Sequence, residues 1–145
     1  MDIDDPASVA ERAAREGGET AAETFRGRLD VETKSNEADL VTQADRAAQR
    51  AVLAELRDAT PDVPIVAEEA DARKEVPAEG PAWIVDPIDG TANYVRGVQF
   101  WATSVAAVED GEPVAAANVL PALGDAYVTD GSTARMNGEP VSVSE

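Results

Sequence analysis

The hydrophobic periodicity of this chain changes from helical to extended along its length, and this change limits the folds that it can adopt. Over residues 7–59 apolar side chains recur at helical spacing, whereas from residue 102 onward they alternate as in strands. Helices followed by runs of strands are typical of α+β proteins. The sequence therefore predicts two N-terminal helices packed on a mainly antiparallel β-sheet.

The helix boundaries are predicted from local signals. The first helix is expected over residues 7–26, with Gly17-Gly18 weakening or kinking its middle. Thr42-Gln43-Ala44-Asp45 has the form of a capping box, so a second helix is expected from there to about residue 59, after a polar loop at 34–37.

The strands are predicted from short apolar runs and turn signals. After a weak alternation at 29–33, a buried strand at 63–67 precedes a charged loop at 71–80 and a second strand at 83–85. Turns at Asp110-Gly111, near Gly124 and at 136–138 separate the remaining strands, which are expected at 102–109, 114–120, 126–129 and 141–143.

The net charge limits the kinds of molecule that this protein is expected to bind. Twelve basic residues stand against 29 acidic ones, which gives −17. Such a field repels nucleic acid and anionic lipid, but it attracts divalent cations where carboxylates converge. The acidic residues are spread along the chain and lysine is rare, so a surface adapted to high salt is expected.

Two residue types are absent from the sequence. Without cysteine, disulfides, thiolate metal sites and a cysteine nucleophile are excluded; without histidine, imidazole ligands and Ser–His catalysis are excluded as well. Carboxylates, hydroxyls and bound metal remain for catalysis. The acidic N-terminus has no apolar segment, and a cytoplasmic protein is expected.

Carboxylates cluster after two of the predicted strands. Glu68-Glu69 follow one and Asp86 and Asp89 the next, where Pro87 and Gly90 can shape a sharp bend. Mg²⁺ takes oxygen ligands, so two Asp, one Glu and a backbone carbonyl suit it. The alternative is that Asp-Pro-x-Asp-Gly is simply a turn, because these residues favour turns.

Thr91 adds a hydroxyl and backbone N–H groups directly after Gly90. A helical turn at 92–94 would direct its positive end towards an anion. A phosphate site beside a cation is therefore predicted.

Three motifs in this order resemble the inositol monophosphatase family, within the lithium-sensitive, Mg²⁺-dependent sugar phosphatase superfamily. They are the segments at 39–45 (DLVTQAD), at 67–69 (AEE) and at 83–94 (WIVDPIDGTANY). The resemblance covers nearly the whole chain and implies the first half of an αβαβα fold. It implies hydrolysis of a phosphate monoester of inositol or a sugar, as by inositol monophosphatase or fructose-1,6-bisphosphatase.

The resemblance also implies residue roles. Glu68 matches a bridging metal ligand, Asp86 and Asp89 the paired aspartate ligands, and Ile88 a carbonyl ligand. Thr91 and Glu68 match the pair that activates the nucleophilic water, and Gly90 and Thr91 the backbone donors to phosphate.

Each of three further polar residues has two alternative roles. Asp45 matches an acidic residue that supports the threonine and the metal site, and it could also cap the second helix. Lys34 lies where the family often has a lysine, although a solvated loop lysine is the favoured reading. Glu69 is either a supporting residue or a surface one.

The family's second half carries a Trp-Asp motif, whereas Trp83 and Trp101 are followed by Ile84 and Ala102. Residues 1–145 are therefore expected to form one N-terminal metal-binding domain without the C-terminal α/β domain. The expected partners are a small phosphorylated substrate and either a second copy or a complementing C-terminal half. The alternative function is a truncated, non-catalytic module that binds metal or phosphate.

Overall fold

The computed structural model describes residues 3–26, 34–67 and 75–143, and the α+β prediction is confirmed. The predicted alternation at 29–33 lies outside these ranges. The elements in chain order are α1 (Pro6–Ala22), α2 (Lys34–Ala59), β1 (Ile65–Val66), β2 (Pro81–Asp89), α3 (Thr91–Val95), β3 (Ala102–Glu109), β4 (Glu112–Leu120), β5 (Asp125–Thr129), β6 (Ala134–Met136) and β7 (Glu139–Val141). The strands form one sheet in the order of the chain.

Helix α1 begins at a local cap and runs without interruption through its glycines. Asp5 accepts a hydrogen bond from the Ser8 N–H at 3.4 Å, and Pro6 occupies the first turn, where its missing N–H costs nothing. A Cβ on Gly17 would lie 2.4 Å from Cγ2 of Val52. The predicted weak middle therefore does not break the helix, because glycine there allows α1 to approach α2 closely. The helix ends at Ala22, before the predicted residue 26.

Helix α2 begins at Lys34, well before the predicted capping box. The polar loop expected at 34–37 is wrong, and so is the cap reading of Thr42 and Asp45, which lie inside the helix. The physical reason is that the buried face extends further towards the N-terminus: Val41, Ala44 and Ala48 are all buried at helical spacing. The predicted end near residue 59 is confirmed.

The sheet is antiparallel except for β1, which pairs with β2 in parallel. Strand β2 is longer than the predicted 83–85, because Asp86 to Asp89 continue the strand. The turns at Asp110-Gly111 and Asn137-Gly138 have positive φ at both residues, as tight hairpins of matching twist require. The last hairpin has one strand that was not predicted, β6, and its second strand lies at 139–141 instead of 141–143.

Both long helices cover the same face of the sheet. The main core lies between them and the inward side chains of β2 to β5, with Trp83, Val52 and Leu56 fully buried. A second buried cluster lies between the helices and the end of β2; it contains Ala21, Val41, Ala44, Ala48, Ile88, Tyr94 and Trp101. No helix in the described ranges is long and apolar enough to cross a bilayer.

Candidate metal and phosphate site

The candidate site is built on the last residues of β2. Side chains alternate between the two faces of a strand, and Val85 is buried against the helices, so Asp86 is directed to the opposite face and is half-buried there. Register places Asp86 beside Ser104 of β3, which lies beside Asn118 of β4. The Ser104 hydroxyl donates to Oδ1 of Asn118 at 2.5 Å. Asp86 therefore begins a polar row across this face.

A β-bulge separates the two aspartates. Asp86 pairs with Ser104 and Asp89 pairs with Ala102, so two residues of β2, Pro87 and Ile88, lie opposite one residue of β3. A bulge bends its strand and redirects the side chains on either side of it. Asp89 is exposed at the strand end. The alternative that this segment is only a turn is therefore wrong, because the aspartates belong to a strand fixed by its neighbour.

Gly90 makes the sharp change of direction after the strand. Its φ is +93°, a conformation that side chains with a Cβ rarely adopt, and an added Cβ would lie 3.1 Å from the Phe100 carbonyl oxygen. Gly90 is also the N-cap residue of α3. The predicted helical turn is confirmed as Thr91–Val95, and its first N–H groups have no acceptor within the helix.

Oxygen atoms of Ile88 and Thr91 converge beside the aspartates. The Thr91 hydroxyl donates to the Ile88 carbonyl at 3.3 Å, while the Ile88 side chain is buried in the second cluster. The Ile88 carbonyl and the carboxylates of Asp86 and Asp89 are oxygen donors of the kind that Mg²⁺ prefers. This set of donors suits a small hard cation, with the Thr91 hydroxyl beside it.

Tyr94 connects α3 to the end of α1. Its hydroxyl donates to the Ala21 carbonyl at 2.7 Å and lies 2.6 Å from the Thr24 hydroxyl. Burial raises the pKa of Tyr94, the hydrogen bond with Thr24 lowers it, and the negative charge of Asp45 raises it. Asp45 is thus close enough to act electrostatically on the residue that anchors α3.

Asp45 lies on the adjoining helix, α2. Five other predicted site residues lie in the one segment that joins β2 to α3: Asp86, Ile88, Asp89, Gly90 and Thr91. Glu68 and Glu69 lie outside the described residues, and their roles remain predictions. Within residues 3–26, 34–67 and 75–143 no cluster of three acidic side chains is found, and the third predicted carboxylate, Glu68, lies outside these ranges. Lys34 is the first residue of α2 instead of a loop residue.

Sequence reasoning missed two polar residues that support this segment. The Asn93 side-chain amide donates to the Phe100 carbonyl at 2.8 Å, which ties α3 to the chain entering β3. The buried Thr103 hydroxyl donates to the Pro87 carbonyl at 2.8 Å. Thr103 could have been noticed, because it is a polar residue at a core-facing position of an alternating strand.

Comparison with known proteins places this geometry in context. The model of a protein family described as the inositol monophosphatase family matches residues 2–145. The chain is 44% identical over 121 residues to a protein of Thermotoga maritima named fructose-1,6-bisphosphatase/inositol-1-monophosphatase, covering 82% of this chain and 46% of that protein. It is 36% identical over 104 residues to inositol-1-monophosphatase of Bacillus subtilis, covering 72% of this chain and 39% of that protein.

Solved structures agree with these sequence matches. An inositol monophosphatase from Zymomonas mobilis superposes with a TM-score of 0.81 at 29% identity, covering 99% of this chain and 55% of that one. An IMPase of Thermotoga maritima superposes with a TM-score of 0.76 at 37% identity, covering 95% of this chain and 52% of that one. The chain thus spans about half the length of the relatives that it matches.

Proposed function

Since this chain belongs to the inositol monophosphatase family, we propose that it carries the metal-binding half of a Mg²⁺-dependent phosphatase acting on a phosphate monoester of inositol or a sugar. The curated relatives are phosphoric monoester hydrolases by name. The observation that carries the proposal is the bulged end of β2, where Asp86 and Asp89 lie on either side of the bulge and the Thr91 hydroxyl bonds to the Ile88 carbonyl. The reaction is expected to take place in the cytoplasm.

Each residue of the segment has a proposed role in holding the metal and the phosphate. The carboxylates of Asp86 and Asp89 and the carbonyl of Ile88 would hold Mg²⁺, together with Glu68. Bound Mg²⁺ supplies Lewis-acid chemistry: it polarises phosphoryl oxygens, lowers the pKa of water and stabilises the leaving alkoxide. The backbone N–H groups of Gly90 and Thr91 would bind a phosphate oxygen at the first turn of α3.

Water activation is assigned to hydroxyl and carboxylate groups of this chain. The Thr91 hydroxyl would orient the attacking water and Glu68 would accept its proton, while Asp45 would keep α3 in place through its position beside Tyr94. This assignment fits a chain without histidine or cysteine, since general-base chemistry then falls to a carboxylate. No covalent phosphoenzyme is required.

A second candidate function is a module that binds metal or phosphate without turnover. It is the alternative because the chain spans 46% of its Thermotoga maritima relative, and binding by this span can be measured apart from turnover. In this case catalysis would need a complementing C-terminal half, which would supply the family's Trp-Asp ligand and most contacts to the sugar or inositol. A second copy of the chain is the other proposed partner.

The two functions are separated by measuring Mg²⁺ binding and phosphate release on the same protein. Phosphate release from inositol monophosphate and fructose 1,6-bisphosphate would be followed with Mg²⁺ and high KCl, and Mg²⁺ binding by calorimetry. Asp89→Asn should abolish both, because the metal loses a carboxylate ligand. The matched control is Asp62→Asn, which removes the same charge from an exposed loop residue and should change neither.

The outcomes assign the function directly. Release that requires Mg²⁺ and Asp89 identifies a competent enzyme and ranks its substrates. Binding of Mg²⁺ that requires Asp89, without release, identifies the non-catalytic module. Binding that is the same in wild type, Asp86→Asn and Asp89→Asn contradicts the assignment of the site, provided that circular dichroism shows each variant to be folded.

A further inference from the structure

Thr103 contacts the candidate metal segment from the side opposite to its carboxylates. It lies in β3 with its side chain directed into the core, and it is one of the fully buried residues of the protein. Its hydroxyl donates a hydrogen bond of 2.8 Å to the carbonyl of Pro87, which lies between Asp86 and Ile88. A buried threonine therefore contacts the backbone of the candidate site without reaching its surface.

The Pro87 carbonyl is at the place where the sheet ladder is interrupted. Pro87 and Ile88 together oppose Thr103, and a bulge of this kind leaves a residue without its regular ladder partner. Proline also lacks an N–H and cannot contribute a ladder donor. The Thr103 hydroxyl thus gives the Pro87 carbonyl a side-chain hydrogen bond at the point where the strand register shifts.

Helix α1 restricts the Thr103 side chain from the other side. A Cβ on Gly17 would lie 3.1 Å from Cγ2 of Thr103, and one on Gly18 would lie 3.6 Å from its hydroxyl oxygen. The close approach of the helix backbone leaves the side chain little room to change rotamer. The donor that binds the Pro87 carbonyl is therefore held in place by packing on one side and by the strand on the other.

We propose that Thr103 is a positioning residue for the metal-binding segment, an inference that rests on the function proposed above. The carbonyl of Pro87 and the N–H of Ile88 belong to one rigid peptide plane. Fixing that carbonyl fixes how the chain enters Ile88, and with it the relative directions of the Ile88 carbonyl and of the carboxylates of Asp86 and Asp89. Metal affinity then depends on a hydroxyl that does not touch the metal.

The test compares two substitutions at this position. Thr103→Val keeps the shape and removes the donor, while Thr103→Ser keeps the donor and removes the methyl group beside Gly17. Residues that orient metal ligands typically change affinity by about 10- to 100-fold when they are replaced. We therefore expect Mg²⁺ affinity, measured by calorimetry well below each unfolding midpoint, to fall about tenfold or more in Thr103→Val and to stay near wild type in Thr103→Ser.

A matched control separates positioning from general destabilisation. The Thr60 hydroxyl donates to the Leu56 carbonyl at 2.7 Å and accepts from Nε1 of Trp83 at 2.9 Å, in a different part of the core. Thr60→Val should lower the unfolding temperature and leave Mg²⁺ affinity unchanged. Equal losses of affinity in Thr60→Val and Thr103→Val would contradict the inference, because stability alone would then explain both.

Three further outcomes are distinguishable. Wild-type affinity in Thr103→Val, with affinity still lost in Asp89→Asn, overturns the positioning role and leaves the proposed function standing. Mg²⁺ binding that is the same in wild type and Asp89→Asn overturns the proposed function, and the inference about Thr103 with it. Loss in Thr103→Val with recovery in Thr103→Ser supports both.

Discussion

At the scale of single residues, the site depends on short polar contacts made by the main chain. Carbonyl oxygens of Pro87, Ile88 and Phe100 each accept a side-chain hydrogen bond, from Thr103, Thr91 and Asn93 respectively. Such bonds add side-chain donors to the backbone at the bulge and in the turns beside it. The bend that carries Asp89 and Gly90 is therefore held by specific hydroxyl and amide groups.

Replacing Thr91 should separate water activation from metal binding. In Thr91→Ala the carboxylates of Asp86 and Asp89 remain, so Mg²⁺ affinity is expected to stay within about tenfold of wild type. Phosphate release should fall by about 10²-fold, because the attacking water loses the hydroxyl that orients it. Calorimetry and a phosphate-release assay with saturating Mg²⁺ measure the two effects. Unchanged release would remove Thr91 from the proposed mechanism.

The Tyr94 hydroxyl should make stability depend on alkaline pH. Tyr94→Phe loses the bonds to Ala21 and Thr24, at a cost of about 1–2 kcal/mol at neutral pH. The pKa of Tyr94 is raised in the folded state, so the unfolded chain loses this proton first. The stabilisation from Tyr94 is thus complete below pH 10 and is lost as the pH rises through the higher folded-state pKa.

Urea unfolding of wild type and Tyr94→Phe between pH 7 and pH 11 measures this effect. The difference in unfolding free energy should shrink above pH 10. Tyr127→Phe, at a residue that is 40% exposed, is the matched control for the loss of a tyrosine hydroxyl. A constant difference between wild type and Tyr94→Phe over this range would contradict the effect of burial.

At the scale of elements, the spacing of α1 from its neighbours is set by two small residues. Gly17 and Gly18 face Val52, Thr103 and Pro121 at distances that leave no room for a Cβ. Helices pack at a distance that their contact side chains determine. The glycines that lower the intrinsic helix propensity of α1 are the residues that let it approach the sheet.

Gly17→Ala should therefore destabilise the protein although alanine favours helices. The substitution gains up to about 1 kcal/mol of helix propensity. The new Cβ would lie 2.4 Å from Cγ2 of Val52, which is fully buried and stiff about χ1. Overpacking of this kind costs about 1–3 kcal/mol, so a net loss of about 1 kcal/mol is expected in chemical denaturation.

The neighbouring residue provides the control for this substitution. Glu16 is exposed on the same helix, and Glu16→Ala should leave stability nearly unchanged. A Gly17→Ala variant more stable than wild type would show that Val52 moves aside without cost and that the close approach is not required.

At the scale of the whole molecule, the charge of −17 should make stability depend on salt. Ion pairs such as Arg12–Glu55 and Arg15–Glu11 offset part of this charge. Acidic residues still outnumber basic ones by 17, so the net interaction among the charges of the folded chain is repulsive. Added salt shortens the Debye length from about 10 Å at 0.1 M to about 3 Å at 1 M, which weakens this repulsion.

The unfolding temperature should accordingly rise as KCl increases from about 0.1 to 1 M. Differential scanning calorimetry measures it, and NaCl serves as the control, because screening depends on ionic strength and both salts should act alike. An unfolding temperature that does not change with either salt would contradict the expectation of a surface adapted to high salt.

The sequence by itself determined the fold class and the segment that carries the candidate site. Periodicity separates the helices from the sheet without tertiary information, and the Asp86–Thr91 segment is read directly because its residues are adjacent in the chain. The hairpin turns were also predicted from neighbouring residues alone, since Asp110-Gly111 and Asn137-Gly138 form the predicted turns.

Only the tertiary structure decided the rest, because those features depend on contacts between residues far apart in sequence. That Thr42 and Asp45 lie inside α2 depends on the burial of Val41 and Ala44 in one cluster with Ile88, which overrides the local capping signal. The bulge at Pro87 depends on pairing with β3, and its support by Thr103 depends on the close approach of α1. Neither pairing register nor helix spacing is encoded in a local pattern, so the geometry of the site emerged only with the packed chain.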